Sequence, residues 1–170
     1  WSQLGLPYTM NTFRETVRIK MKENTTENMQ DLSEKDIWDF VFSKIGNAYG
    51  TAGLMGNLYA ESGLKAANLQ NSFNKKRNLS DEEYTTLVDS NSYPDFITDK
   101  AGYGLAQWTY HTRKQKLLNY ARQKGTSIGD LEMQLEFLIM ELKGYKAVYQ
   151  TLCKAASVEE AAIAVLTGFE

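Results

Sequence analysis

The chain has 170 residues, room for one domain with a sizeable core, since a chain of this length buries about 70% of the surface its unfolded form exposes. Hydrophobic residues at 42% and charged residues at 24% exclude the disordered and fibrous classes. A formal net charge of -2 excludes nucleic-acid binding through bulk charge, because neutralising phosphates calls for a strong basic excess.

Cys153 stands alone, so no internal disulfide forms and stability must come from packing. It reads as a small buried hydrophobe. The single histidine, His111, excludes zinc sites built on several histidines and leaves a Cys-His peptidase dyad resting on one pair. No metal or other cofactor is implied. No run approaches the roughly 18 apolar residues that span a bilayer, and residues 1–7 lack the basic-then-apolar order of a signal peptide, so membrane insertion is not expected. Starting on Trp1 and stopping on Glu170, the sequence reads as part of a longer polypeptide.

With only two prolines, Pro7 and Pro94, and helical spacing in most periodic segments, the expected class is mainly α. Residues 1–32 form an N-terminal appendage or linker, polar and poor in apolar positions from residue 8 to 30, and residues 33–170 form the domain. From Ser33, a plausible N-cap, Ile37, Val41 and Ile45 recur every fourth residue, with Trp38 and Phe42 widening the stripe. A second helix after Gly50 carries Leu54, Leu58 and Glu61, with Met55 and Tyr59 beside them and Gly63 as its C′ residue.

Residues 65–100 lose periodicity apart from a short helix over 81–88, and such a stretch inside a domain is usually functional or mobile. A basic helix around 113–123 follows, its run Arg113-Lys114-Gln115-Lys116 best read as a solvated face. Leu131, Leu135, Leu138, Ile139 and Leu142 mark a core helix. Ser157-Val158-Glu159-Glu160 has the form of a capping box opening a last helix through Ala161, Val165 and Leu166 to near Gly168.

Two features carry chemistry. Glu61 continues a stripe of leucines, which predicts that it faces the core, and it lies in the last turn, where the helix macrodipole disfavours an anion. Both effects push a carboxyl's pKa upward, as a general acid near neutrality requires, although spacing alone also fits a glutamate that fringes the stripe. The segment Gly102-Tyr103-Gly104-Leu105-Ala106-Gln107-Trp108 offers glycines for close backbone approach, an amide that donates and accepts, and aromatic faces suited to pyranose C–H surfaces. Alone it reads more often as a tight turn over a core.

Together, Gly53-Leu54-Met55-Gly56-Asn57-Leu58-Tyr59-Ala60-Glu61-Ser62-Gly63-Leu64 and Gly102-Tyr103-Gly104-Leu105-Ala106-Gln107-Trp108-Thr109 resemble the phage tail lysozyme family, and Arg113 and Gln134-Leu135-Glu136-Phe137-Leu138 add to the likeness. The family is similar more distantly to goose-type lysozymes and soluble lytic transglycosylases. Over roughly residues 33–170 the resemblance implies a mainly α, lysozyme-like fold with a sugar-binding cleft, acting on peptidoglycan glycan strands, outside the cell, at the cell wall or in a phage virion tail.

The resemblance further implies that Glu61 protonates the glycosidic oxygen between N-acetylmuramic acid and N-acetylglucosamine. Gln107 and the backbone near Gly104 would contact sugar, with Tyr103 and Trp108 beside them, while Tyr59 and Ser62 would support the acid. For the second carboxylate that glycosidases commonly use, Asp99 is the first choice and Asp95 the next. Lytic transglycosylases dispense with it, the sugar's own 6-hydroxyl attacking instead. A catalytically silent glycan-binding tail module is the remaining alternative, and Glu170 receives no role.

Overall fold

The structure, a computed structural model, describes residues 34–170. The expected appendage over 1–32 and the Ser33 cap lie outside the described residues. These are mainly helical, with no strand among them, and no helix among them is long and apolar enough to cross a membrane. They divide into two compact units.

The first unit takes α1 (Glu34–Ile45), the start of α2 (Ala48–Ser62), α7 (Lys146–Lys154) and α8 (Val158–Gly168). The fourfold spacing read in α1 buries Ile37, Val41 and Ile45, and Phe40 joins them. Asn47 ties the entry to α2 down twice: its Oδ1 accepts from the Gly50 N–H at 2.9 Å and its Nδ2 donates to the Ala155 carbonyl at 3.1 Å. Side chains at two α2 positions would collide with neighbouring backbone. A Cβ on Gly50 would lie 1.9 Å from the Leu152 carbonyl oxygen, and one on Gly53 2.7 Å from the Ala162 nitrogen. Glycine at both lets α7 and α8 approach the α2 backbone directly.

The cap read at Ser157 is present, its Oγ accepting from the Glu160 N–H at 3.1 Å. Glu160 turns to the Ala156 N–H at 2.9 Å, one residue short of a reciprocal box. Sequence reading did not anticipate α7, whose buried pair is only Val148 and Leu152 between polar and charged neighbours.

The second unit takes α2 from Gly56 onward, α3 (Asn71–Arg77), α4 (Asp81–Asp89), a 3-10 turn (Pro94–Ile97), α5 (His111–Lys124) and α6 (Leu131–Gly144). The stretch expected to be irregular is thus partly helical. A capping box at Ser80 and Glu83, with both reciprocal bonds made, starts α4. From α6, Leu135, Phe137, Leu138 and Leu142 pack inward, and Tyr84, Phe96, Tyr103 and Trp108 form an aromatic core beside them.

One correction concerns α5. Lys114, read as part of a solvated face, is fully buried, and its ammonium meets Asp99 Oδ1 at 2.6 Å, the Ala101 carbonyl at 2.8 Å and Tyr84 Oη at 3.3 Å. It also lies 4.4 Å from the Phe96 ring centroid. A buried ammonium needs its three protons matched, and this site matches each of them.

Candidate active site

The end of α2 differs from the sequence reading in one respect that matters. Leu54 and Leu58 are buried as expected, but the next residue on that face is Ser62 and not Glu61, which is exposed. Four residues advance a helix by about 40° beyond a full turn, so 54, 58 and 62 keep one face, while 61 falls about 60° short of it. Ser62 Oγ sits between the Leu58 carbonyl at 3.0 Å and the Leu105 carbonyl at 2.8 Å. It therefore fixes the helix end against the glycine-rich segment.

The chain then leaves α2 through two successive left-handed residues, Gly63 (φ 62°) and Leu64 (φ 63°). Only Gly63 does so without strain; a left-handed leucine costs on the order of 1–2 kcal/mol. This turn leads residues 66–70 alongside 102–108. The two stretches are joined by Gln70 N–H to the Gly102 carbonyl at 2.8 Å, Gly102 N–H to Gln70 Oε1 at 3.0 Å and Gly104 N–H to the Asn68 carbonyl at 2.9 Å.

Beside Glu61 this pairing leaves a depression of about 700 Å³ whose wall includes Ser62, Lys65, Asn68, Gln70 and Gln107. Asn71, Ser72 and Thr109 extend the same polar lining. Gln107, itself left-handed at φ 47°, uses its amide nitrogen on Asn68 O and Oδ1, both at 3.0 Å, and on the Gly104 carbonyl at 3.1 Å. Its first task is thus to clamp the two segments together. Gly104 (φ 82°) has two reasons to be glycine, its backbone angle and its neighbour, for a Cβ there would lie 2.7 Å from Gln134 Oε1.

The other expected site residues separate from this group. Tyr103 and Trp108 are fully buried, which corrects their reading as sugar platforms. Tyr103 Oη pairs with Thr85 Oγ1 at 2.6 Å, and Trp108 Nε1 donates to Glu141 Oε2 at 2.9 Å with its ring edge-on to Phe137. Tyr59 is exposed on α2 and is not part of the depression's wall.

Asp99 is displaced most. Besides the Lys114 bridge, its carboxylate accepts from Tyr84 Oη at 2.7 Å, Tyr93 Oη at 3.2 Å and the Ala101 N–H at 2.9 Å, all away from the depression. Burial and this neighbouring charge push the Tyr93 phenol up to about 12 and raise Tyr84 as well. Burial lowers the Lys114 pKa, against the pull of Asp99.

A model of the family described as phage tail lysozyme matches residues 33–170. The chain belongs to the phage tail lysozyme family. Membership makes it a lysozyme-like protein acting on peptidoglycan, at the cell wall or in a virion tail, and its mainly α fold is the one that the resemblance implied. No curated protein and no solved structure matches the chain.

Within this phage tail lysozyme, two residues of the site carried no role in the sequence reading. Gln134 is fully buried in α6; its Oε1 accepts from the Leu105 N–H at 2.9 Å and its Nε2 donates to the Ala66 carbonyl at 2.9 Å and the Ile128 carbonyl at 2.6 Å. The available signal was an amide set within an apolar stripe, since such a group must be satisfied internally. The second is Glu170, which lies near Glu61. Partial burial, followed by the charge of Glu61, pushes Glu170 up to about 7, with the Arg113 guanidinium opposing. Arg113 is itself held by Glu141 through Nε at 2.7 Å and Nη2 at 2.9 Å. No local pattern ties two glutamates so far apart in the chain.

Proposed function

We propose that the chain is a muramidase, hydrolysing the β-1,4 bond between N-acetylmuramic acid and N-acetylglucosamine with Glu61 as general acid. The observation that carries this reading is Glu61 at the helix end, on the wall of a depression lined by amides and hydroxyls. Asn68, Gln70, Asn71, Ser72 and Thr109 are groups that exchange hydrogen bonds with sugar hydroxyls and N-acetyl groups. Gln107 faces the sugar from the opposite segment, whereas Gly104 is buried and off the wall, its N–H and carbonyl taken by Asn68 and Gln107.

In this mechanism the Glu61 carboxyl gives its proton to the glycosidic oxygen as the bond to the anomeric carbon breaks. Positive charge develops over that carbon and the ring oxygen, water adds, and the proton it loses returns to Glu61. Asp99 takes no step, because its carboxylate is committed to Lys114 and two tyrosines. The same commitment favours one second reading, in which the muramic 6-hydroxyl attacks in place of water and leaves a 1,6-anhydro end, as in the lytic transglycosylases that the chain resembles.

Mass spectrometry of muropeptides released from purified cell walls separates the readings. Reducing N-acetylmuramic ends are expected. Anhydro ends would replace hydrolysis by transglycosylation, reducing N-acetylglucosamine ends would mean the other bond is cut, and release of nothing would leave a silent binding module.

A further inference from the structure

We propose that Lys65 gives the depression its preference for the acidic sugar of the strand. Its ammonium pairs with a carboxylate borne on the lactyl group of N-acetylmuramic acid, either the lactyl carboxylate itself or one on a peptide stem attached there. The inference deepens the proposed function and rests on the depression being the sugar site.

The wall carries two charged side chains, Glu61 and Lys65, and its other polar side chains are neutral amides and hydroxyls. Amides and hydroxyls meet the N-acetyl and hydroxyl groups that both sugars of the strand possess, so they do not tell the two apart. Charge does. N-acetylglucosamine is neutral, whereas the ether-linked lactyl group of N-acetylmuramic acid ends in a carboxylate or in a peptide that bears carboxylates. Among the described residues, Lys65 is the one cation on that wall.

Its surroundings leave that cation available. Arg113, Lys114 and Lys124 are matched by Glu141, Asp99 and Glu136, but Lys65 is exposed, and among the described residues no carboxylate pairs with its ammonium. Its backbone is nevertheless held. The Lys65 N–H donates to the Ser62 carbonyl at 3.2 Å, across the left-handed Gly63 and Leu64, and Ser62 Oγ is anchored on the Leu105 carbonyl at 2.8 Å. The root of the side chain is thus fixed beside Glu61 while the ammonium keeps its reach. An ammonium is a point charge without a bidentate geometry, which suits a carboxylate on a flexible stem. The chain as a whole has a formal net charge of -2, so attraction for an acidic glycan has to come from a local cation of this kind.

The test is an NMR titration of the full chain that follows the side-chain amides of Gln70 and Gln107. The ligands are chitobiose, the disaccharide of N-acetylglucosamine and N-acetylmuramic acid with its lactyl carboxylate free, and the same disaccharide carrying a dipeptide stem. Each acidic ligand is also run with its carboxylates amidated, which removes charge and keeps bulk. Wild type is expected to bind at least one acidic ligand about three- to tenfold more tightly than its amidated form, the range of an exposed to partly shielded ion pair. That margin should shrink as salt rises from about 20 mM to about 500 mM. Lys65→Gln is expected to reduce the margin below about twofold and Lys65→Arg to keep it, a cycle that isolates the pair. The ligand whose margin vanishes identifies the carboxylate. A margin that survives in Lys65→Gln, or none in wild type, would overturn the proposal, while chitobiose shifts at Gln70 and Gln107 would still support the sugar site. If no disaccharide moves those amides, the depression is not the sugar site and the proposal falls with that reading.

Discussion

Replacing Asp99 with asparagine separates a structural carboxylate from a catalytic one. The Lys114–Asp99 bridge is buried on both sides, with side-chain exposures of 0% and 2%. An amide in place of the carboxylate has a single oxygen, which serves either the two tyrosine hydroxyls or the Ala101 N–H, and it leaves the ammonium without a counterion. Lys114 then either stays charged in the core or sheds its proton. Shedding it at pH 7 from an ordinary value of 10.5 costs about 5 kcal/mol, which sets a ceiling. Losing one partner of a buried pair typically costs about 3–5 kcal/mol, in agreement.

Calorimetry at pH 7 is expected to show Tm falling by about 6–20 °C, with the turnover of the folded fraction within about twofold of wild type. The sign of the pH dependence is a second check. With Lys114 neutral in the folded variant and protonated when unfolded, the unfolded state binds more protons. Stability relative to wild type should therefore rise by about 1.4 kcal/mol per unit as pH increases from 7 towards 10. An unchanged Tm together with a hundredfold loss of turnover would refute this reasoning and return Asp99 to the reaction.

Gln134→Leu removes the partners of the Leu105 N–H and of the Ala66 and Ile128 carbonyls, and urea denaturation should show a loss of about 3 kcal/mol or more; a loss under about 1 kcal/mol would mean that water replaces them. Gly104→Ala places a methyl 2.7 Å from Gln134 Oε1 at a left-handed angle and should cost at least about 2 kcal/mol. Wild-type stability with a raised KM would instead mean that glycine there serves only ligand approach.

The helices that were legible in sequence are those with long apolar stripes and chemical punctuation. The stripes of α1 and α6 and the cap at Ser157 follow from spacing and from side-chain acceptors next to them. The helices α3 and α7 were not legible, because α3 buries no residue and α7 only two. At the site, position failed wherever tertiary pairing decides burial. Lys114 looked like a surface residue within a basic run, and only Asp99, brought in from another segment, makes its burial tolerable.

Tyr103 and Trp108 looked like sugar platforms, yet large aromatics in a glycine-rich turn can serve the core as readily as a ligand. For Glu61 the helix was right and the face was off by one residue, so its exposure beside the depression comes from Ser62 taking the inward position.

The most direct test of the central claim is the rate at which Glu61→Gln releases reducing ends from purified cell walls, measured with circular dichroism and wall binding on the same preparation. Loss of a general acid predicts a fall of about 10²–10⁴-fold with fold and binding retained. Release at the wild-type rate by a folded variant would contradict the account, since cleavage would then proceed without the carboxyl on which it rests.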